Sequence, residues 1–138
     1  MTGRTGFQDQ PHNRGRGRVG EEEAVRWLQG QGYKIVERNL TTHSGEIDVV
    51  AREGETLCFI EIKARATDAY GPAIAAVDAR KQRRISRAAA TYIANKRLHN
   101  SPCRFDVLGL DREAGGAAGG EAGGWRYTLI RDAFPYSP

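Results

Sequence analysis

"GEIDVVAREGETLCFIEIKAR", Gly45 to Arg65, reads as two strands around a tight turn, yet Glu46, Asp48, Glu61 and Lys63 interrupt two otherwise apolar runs. A two-residue turn at Gly54 and Glu55 sets Glu53 opposite Thr56, and every further pair then has residue numbers summing to 109. This register predicts Asp48 opposite Glu61 and Glu46 opposite Lys63, all four on the side that carries Val50 and Phe59. The other face carries Ile47, Val49, Ala51, Cys58, Ile60, Ile62 and Ala64, a continuous apolar surface. Two facing carboxylates repel one another in an antiparallel pair, so something must compensate them. Lys63 supplies one positive charge, and a hard divalent cation held by oxygen ligands, as Mg²⁺ prefers, would supply two more. The four charges are therefore read as a candidate site, against the alternative of a solvated sheet face with a Glu46–Lys63 ion pair.

Working outward, residues 1–18 mix Gly, Arg, Pro and Gln with few apolar side chains and read as a mobile basic tail. From residue 19 a single folded domain is expected, because 138 residues match the usual size of one core. Ala24, Val25 and Leu28 recur at helical spacing in a helix ending at Gly30 or Gly32, with Glu21 on the same stripe. Glu21 is either a third acid aimed at the sheet or, like Glu22 and Glu23, a carboxylate complementing the helix dipole. Tyr33 to Thr41 alternates as a first strand ahead of the hairpin.

Gly71 and Pro72 break the chain, and Asp78 is the expected N-cap of a helix running to about Asn95. Its buried stripe is Val77, Ile85, Ala88, Ala89 and Tyr92 or Ile93. "CRFDVLGL" is a fourth strand, 111–124 a flexible Gly-rich loop and "WRYTLI" a closing strand. Helix, three strands, long helix and two strands give an α/β sandwich with a mixed sheet.

The net charge is +4 and the pI near 9.3, which suits a polyanionic partner such as nucleic acid. Arg80, Lys81, Arg83, Arg84 and Arg87 crowd the start of the long helix, and Arg65 ends the hairpin; these are the candidate phosphate contacts. Cys58 and Cys103 are too few and too far apart for a paired-ligand zinc motif, and have no basic neighbour that would make either a nucleophile. No apolar run approaches the roughly 18 residues of a membrane span, and no stretch resembles a signal peptide, so a cytoplasmic protein is expected. His43 is a loop histidine or a proton shuttle, and Asp106 either approaches the acids or bonds to the backbone. Trp125 and Tyr127 read as cover rather than a base-stacking platform.

Asp48, the turn and then Glu61-Ile62-Lys63 resemble the D…ExK signature of the restriction-endonuclease-like superfamily. The wider string, "GEEEAVRWL", "GYKIVERNL", "GEIDVVA", "FIEIKAR", "YGPAIAAVDARKQRRI" and "RFDVL", resembles the YraN-like family of uncharacterised bacterial proteins over roughly residues 18–110. The resemblance implies an α-β-β-β-α-β core with helices flanking a mixed central sheet, shared with archaeal Holliday junction resolvases. It implies Mg²⁺ or Mn²⁺ held by Asp48, Glu61 and the backbone carbonyl of Ile62. Lys63 would orient or deprotonate the attacking water, and Glu21 would be the helix-borne acid of the resolvase-like branch. Ile47 stands where the superfamily often has Pro, and Ala75 where this family would carry an acid.

The reading that follows is a divalent-metal-dependent endonuclease acting on DNA rather than RNA, directed to branched structure, with a homodimer expected by analogy with resolvases. Its alternatives are a nucleic-acid-binding protein that keeps the scaffold without appreciable turnover, and an interaction module whose charged face recruits a protein.

Overall fold

The computed structural model describes residues 11–65, 77–112 and 124–138, with side chains from residue 20 onward. Helix α1 (Pro11–Gly30) is followed by strands β1 (Lys34–Thr42), β2 (Gly45–Glu53) and β3 (Thr56–Arg65). Helix α2 (Ala79–Lys96) then leads to β4 (Cys103–Arg112) and β5 (Trp125–Phe134). The strands form one sheet in the order β1-β2-β3-β4-β5, antiparallel throughout except for the parallel pair β3–β4. A parallel pair needs a crossover connection, and α2 lies within it. The mixed α/β architecture expected from the order of the motifs is the one observed.

Both faces of the sheet are covered. On one, Ile85, Ala88, Ala89 and Tyr92 of α2 pack on Val50, Leu57, Phe59, Phe105 and Val107. On the other, Ala24, Val25 and Leu28 of α1 pack on Val49, Ala51, Cys58, Ile60, Leu108 and Leu110. The face that carries the four charges is thus core at Val50 and Phe59 and becomes polar toward the end of the hairpin where α2 begins.

α1 starts well before residue 19. Residues 11–18, read from composition as tail, are helical, because Pro is compatible with a first helical turn and the packed segment 24–28 provides a nucleus from which the helix extends. Residues 1–10, Ala75 and positions 113–123 of the Gly-rich loop lie outside the described residues.

The turn at Gly54 and Glu55 forms as expected, with Gly54 at φ +63° as its first residue. Asp78 is the N-cap of α2, its Oδ1 accepting from the Lys81 N–H at 2.9 Å. Gly45 opens β2 at φ +149°, a conformation that favours glycine, and a Cβ there would lie 3.4 Å from the Arg84 carbonyl, so α2 passes in contact with the start of β2. Among the described residues no helix is long and apolar enough to cross a membrane.

A candidate metal centre where the hairpin ladder ends

The β2–β3 ladder runs from Glu53↔Thr56 to Val49↔Ile60 in the expected register and stops there. Beyond it β2 remains paired with β1 as far as Gly45, and β3 with β4 as far as Arg65. A side chain replaces the next rung: the Ile62 N–H donates to Asp48 Oδ2 at 2.8 Å. The expected ladder pairs Asp48–Glu61 and Glu46–Lys63 are thus corrected. A carboxylate accepts an N–H more strongly than a neutral carbonyl does, and Asp48 takes the bond that a strand partner would have supplied. The alternation slips at the same place, because Ile47 packs with Val50 on the α2 side while Val49 and Ala51 face α1.

Asp48 and Glu61 nevertheless share one electrostatic site. Glu61 is 6% exposed, with Lys81 Nζ 3.3 Å and Lys63 Nζ 3.9 Å from its Oε2. Burial, and then the charge of Asp48, push the Glu61 carboxyl up to about 8 against the pull of the two ammonium groups. Asp48 is also raised, by burial, although the Ile62 N–H, Lys63 and Lys81 oppose the shift. Lys63 is lowered by burial and by neighbouring Lys81. For Lys81 burial acts downward, but Glu61, Lys63 and Asp48 together outweigh it and the ammonium is held above its ordinary value. Glu21 on α1 and Glu46 on β2 are raised by burial and then by the charge of Asp48, so both lie within its field.

Of these groups Glu46, Asp48, Glu61 and Lys81, but not Lys63 or Glu21, line a cavity of about 500 Å³ between the β1–β2 turn and the first turns of α2. Glu46, Asp48 and Glu61 line it from the sheet, Lys81 and Arg84 from α2, and Thr42, His43 and Ser44 from the turn. Among the described residues no three His, Cys, Asp or Glu side chains are placed to hold a metal ion together. Asp48 and Glu61 are the two expected ligands that line the cavity. The Ile62 N–H points to Asp48, and a strand residue presents its C=O on the same edge, so its carbonyl would be the third. Buried, mutually repelling oxygen donors beside an open cavity fit a hard cation such as Mg²⁺ or Mn²⁺, which keeps several of its waters.

The remaining candidates separate. Glu21 receives a 3.4 Å bond from Asn39 Nδ2, whereas Glu22 pairs with Arg38 and Glu23 with Arg26 at the surface. None of the three lies in the first turn of α1, so the dipole reading fails for them. Arg80, Arg83, Arg84 and Arg87 are exposed, and of these Arg84 lines the cavity. Arg87 Nε donates to the Pro138 carbonyl at 3.3 Å, and Arg65, partly buried, stands in register with Asp111 at the end of β3. Lys81, read as a phosphate contact, lines the cavity and also pairs with Glu61. That role was detectable at N-cap plus three, one turn before buried Ile85, where a side chain is directed back onto the sheet.

His43 is exposed at the rim of the cavity. Asp106 is bonded to other groups than the acids: it is fully buried, accepting from Tyr33 Oη at 2.8 Å, Arg104 Nε at 2.9 Å and the Asp132 N–H at 2.9 Å. Tyr127 stacks on Trp27 with ring centroids 4.9 Å apart, and Arg112 lies over Trp125, so both aromatic residues are cover. Burial pushes the Cys58 thiol up to about 12, as expected of an inert core cysteine.

A family model described as "Uncharacterised protein family UPF0102" matches residues 20–110, a span that contains Glu21, Asp48, Glu61, Lys63 and Lys81. A UPF0102 protein of Geotalea uraniireducens is 46% identical over 103 residues, covering 75% of this chain and 81% of the relative. One from Alcanivorax borkumensis is 45% identical over 119 residues, covering 86% and 90%. One from Symbiobacterium thermophilum is 41% identical over 118 residues, covering 86% and 94%. Matches of this extent, spanning both helices and the first four strands, mean that the chain belongs to the UPF0102 family, the YraN-like proteins that its ordered motifs resemble.

Proposed function

We propose that the protein is a divalent-metal-dependent nuclease that hydrolyses phosphodiester bonds in DNA, with branched or otherwise irregular DNA as its substrate. The observation that carries this reading is the meeting of the Asp48 and Glu61 carboxylates with the Lys63 ammonium where the β2–β3 ladder ends, beside a cavity wide enough for a phosphate. Asp48, Glu61 and the Ile62 carbonyl would hold Mg²⁺ or Mn²⁺. When bound, such an ion neutralises the phosphodiester, lowers the pKa of its water and stabilises the pentavalent state.

Lys63, whose proton is loosened by burial and by Lys81, is suited to orient the attacking water and take up its proton. Arg84 faces the cavity, and exposed Arg80 and Arg83 continue its charge along α2. Such contacts grip a backbone without reading bases, so binding is salt-dependent and directed by shape. Symmetric cutting of a four-way junction would take two copies of the chain.

Cleavage of linear, flapped and four-way substrates with Mg²⁺ or Mn²⁺ tests the reading. Asp48→Ala and Lys63→Ala are each expected to lower the rate at least about a hundredfold. Activity that survives both substitutions would place the chemistry elsewhere. A second reading, DNA binding with little turnover, is favoured by the Lys81–Glu61 ion pair, which already compensates one of the acids. Salt-sensitive binding without cleavage of any substrate would select it.

A further inference from the structure

Two ammonium groups, Lys63 and Lys81, stand 3.9 and 3.3 Å from one oxygen of Glu61. Together they carry the +2 charge that a divalent ion would bring to the same pair of acids. The closer one comes not from the sheet but from α2, where the Asp78 cap and the packing of Ile85 fix its backbone. Its side chain is 32% exposed, so unlike Glu61, at 8%, it can leave for solvent.

We propose that Lys81 is a built-in counter-ion of the metal-free centre, displaced when a divalent cation binds; this inference rests on the metal-centre reading above. Lys81 Nζ and an incoming cation compete for the same Glu61 oxygen and repel one another at close range, so both do not occupy the site. Displacement also redirects the side chain. Lys81 and Arg84 line the same cavity one helical turn apart, so the released ammonium joins Arg84 where a phosphate would lie. Metal loading is thereby coupled to the strength of the phosphate grip, and Lys81 is a positioning residue for that step.

The test is calorimetric titration of the full chain with Mg²⁺ at pH 8.5, comparing wild type, Lys81→Met and Lys81→Arg. High pH is chosen because loss of Lys81 makes Glu61 easier to protonate, and protons compete least there. Lys81→Met is expected to bind Mg²⁺ about tenfold more tightly than wild type, an effect set below the full Coulomb value because Lys81 is partly solvated. Lys81→Arg, which retains the charge, is expected to stay near wild type, a pattern that loss of packing alone would not give. Binding by Lys81→Met alone, with wild type too weak to detect, would also support the proposal. Equal or weaker binding by Lys81→Met than by wild type would overturn it and leave the metal centre standing. No Mg²⁺ binding by any of the three would overturn the metal centre itself, and this inference with it.

Discussion

Asp48 does two things at once: it caps the Ile62 N–H and places a charge beside Glu61. Asparagine keeps the acceptor and removes the charge, while alanine removes both. In metal-free buffer Asp48→Asn is therefore expected to be more stable than Asp48→Ala by about 1–2 kcal/mol in urea unfolding, the cost of leaving a half-buried N–H without its partner. Equal stabilities would mean that the bond to Ile62 contributes nothing to the fold. The identities of the acids and of Lys63 were legible in the sequence, because charges inside an apolar hairpin stand out. The way Asp48 interrupts the ladder was not: side-chain competition for a backbone N–H leaves no periodic trace.

At the scale of elements, the hairpin register could be computed as far as Val49↔Ile60 because a two-residue turn sets the pairs that follow it, and α2 could be placed because Asp78 and an apolar stripe mark its start and its face. The slip that turns Ile47 to the α2 side breaks strict alternation, and a rule of period two cannot contain it. Nor does a one-dimensional pattern record how near α2 comes to β2, so the place of Lys81 one turn before Ile85 points it at the sheet without naming Glu61 as its partner. Gly45→Ala is expected to cost about 1–3 kcal/mol, because alanine at φ +149° is strained whatever the space around its Cβ. An unchanged urea midpoint would show that this backbone conformation is not needed.

Across the whole molecule, the polar groups divide between the two ends of the central strands. At the end away from the site, Glu53 joins Arg131 Nε at 2.8 Å and Arg104, and Arg104 in turn holds Asp106 beneath Tyr33. Hydrogen bonding from Arg131, opposed by some burial and reinforced by Arg104, lowers the Glu53 carboxyl to about 2. A carboxyl depressed in the folded state contributes stability that is complete above its ordinary value of 4.5 and is lost as pH falls through about 2. Glu53→Gln should remove about 1–2 kcal/mol at neutral pH, discounted for the solvent around Arg131, and flatten the acid limb of the stability curve between those two values. The same limb in both proteins would refute the assignment. At the other end burial outweighs the pull of Lys63 and Lys81 and raises Asp48 and Glu61, the two acids proposed to hold a cation. The most direct test counts ions: calorimetric titration with Mg²⁺ or Mn²⁺ of wild type, Asp48→Asn and Glu61→Gln. The account predicts one ion per wild-type chain and at least about a tenfold loss of affinity in each variant. Binding undiminished in either variant, or absent from wild type and Lys81→Met alike, would contradict it.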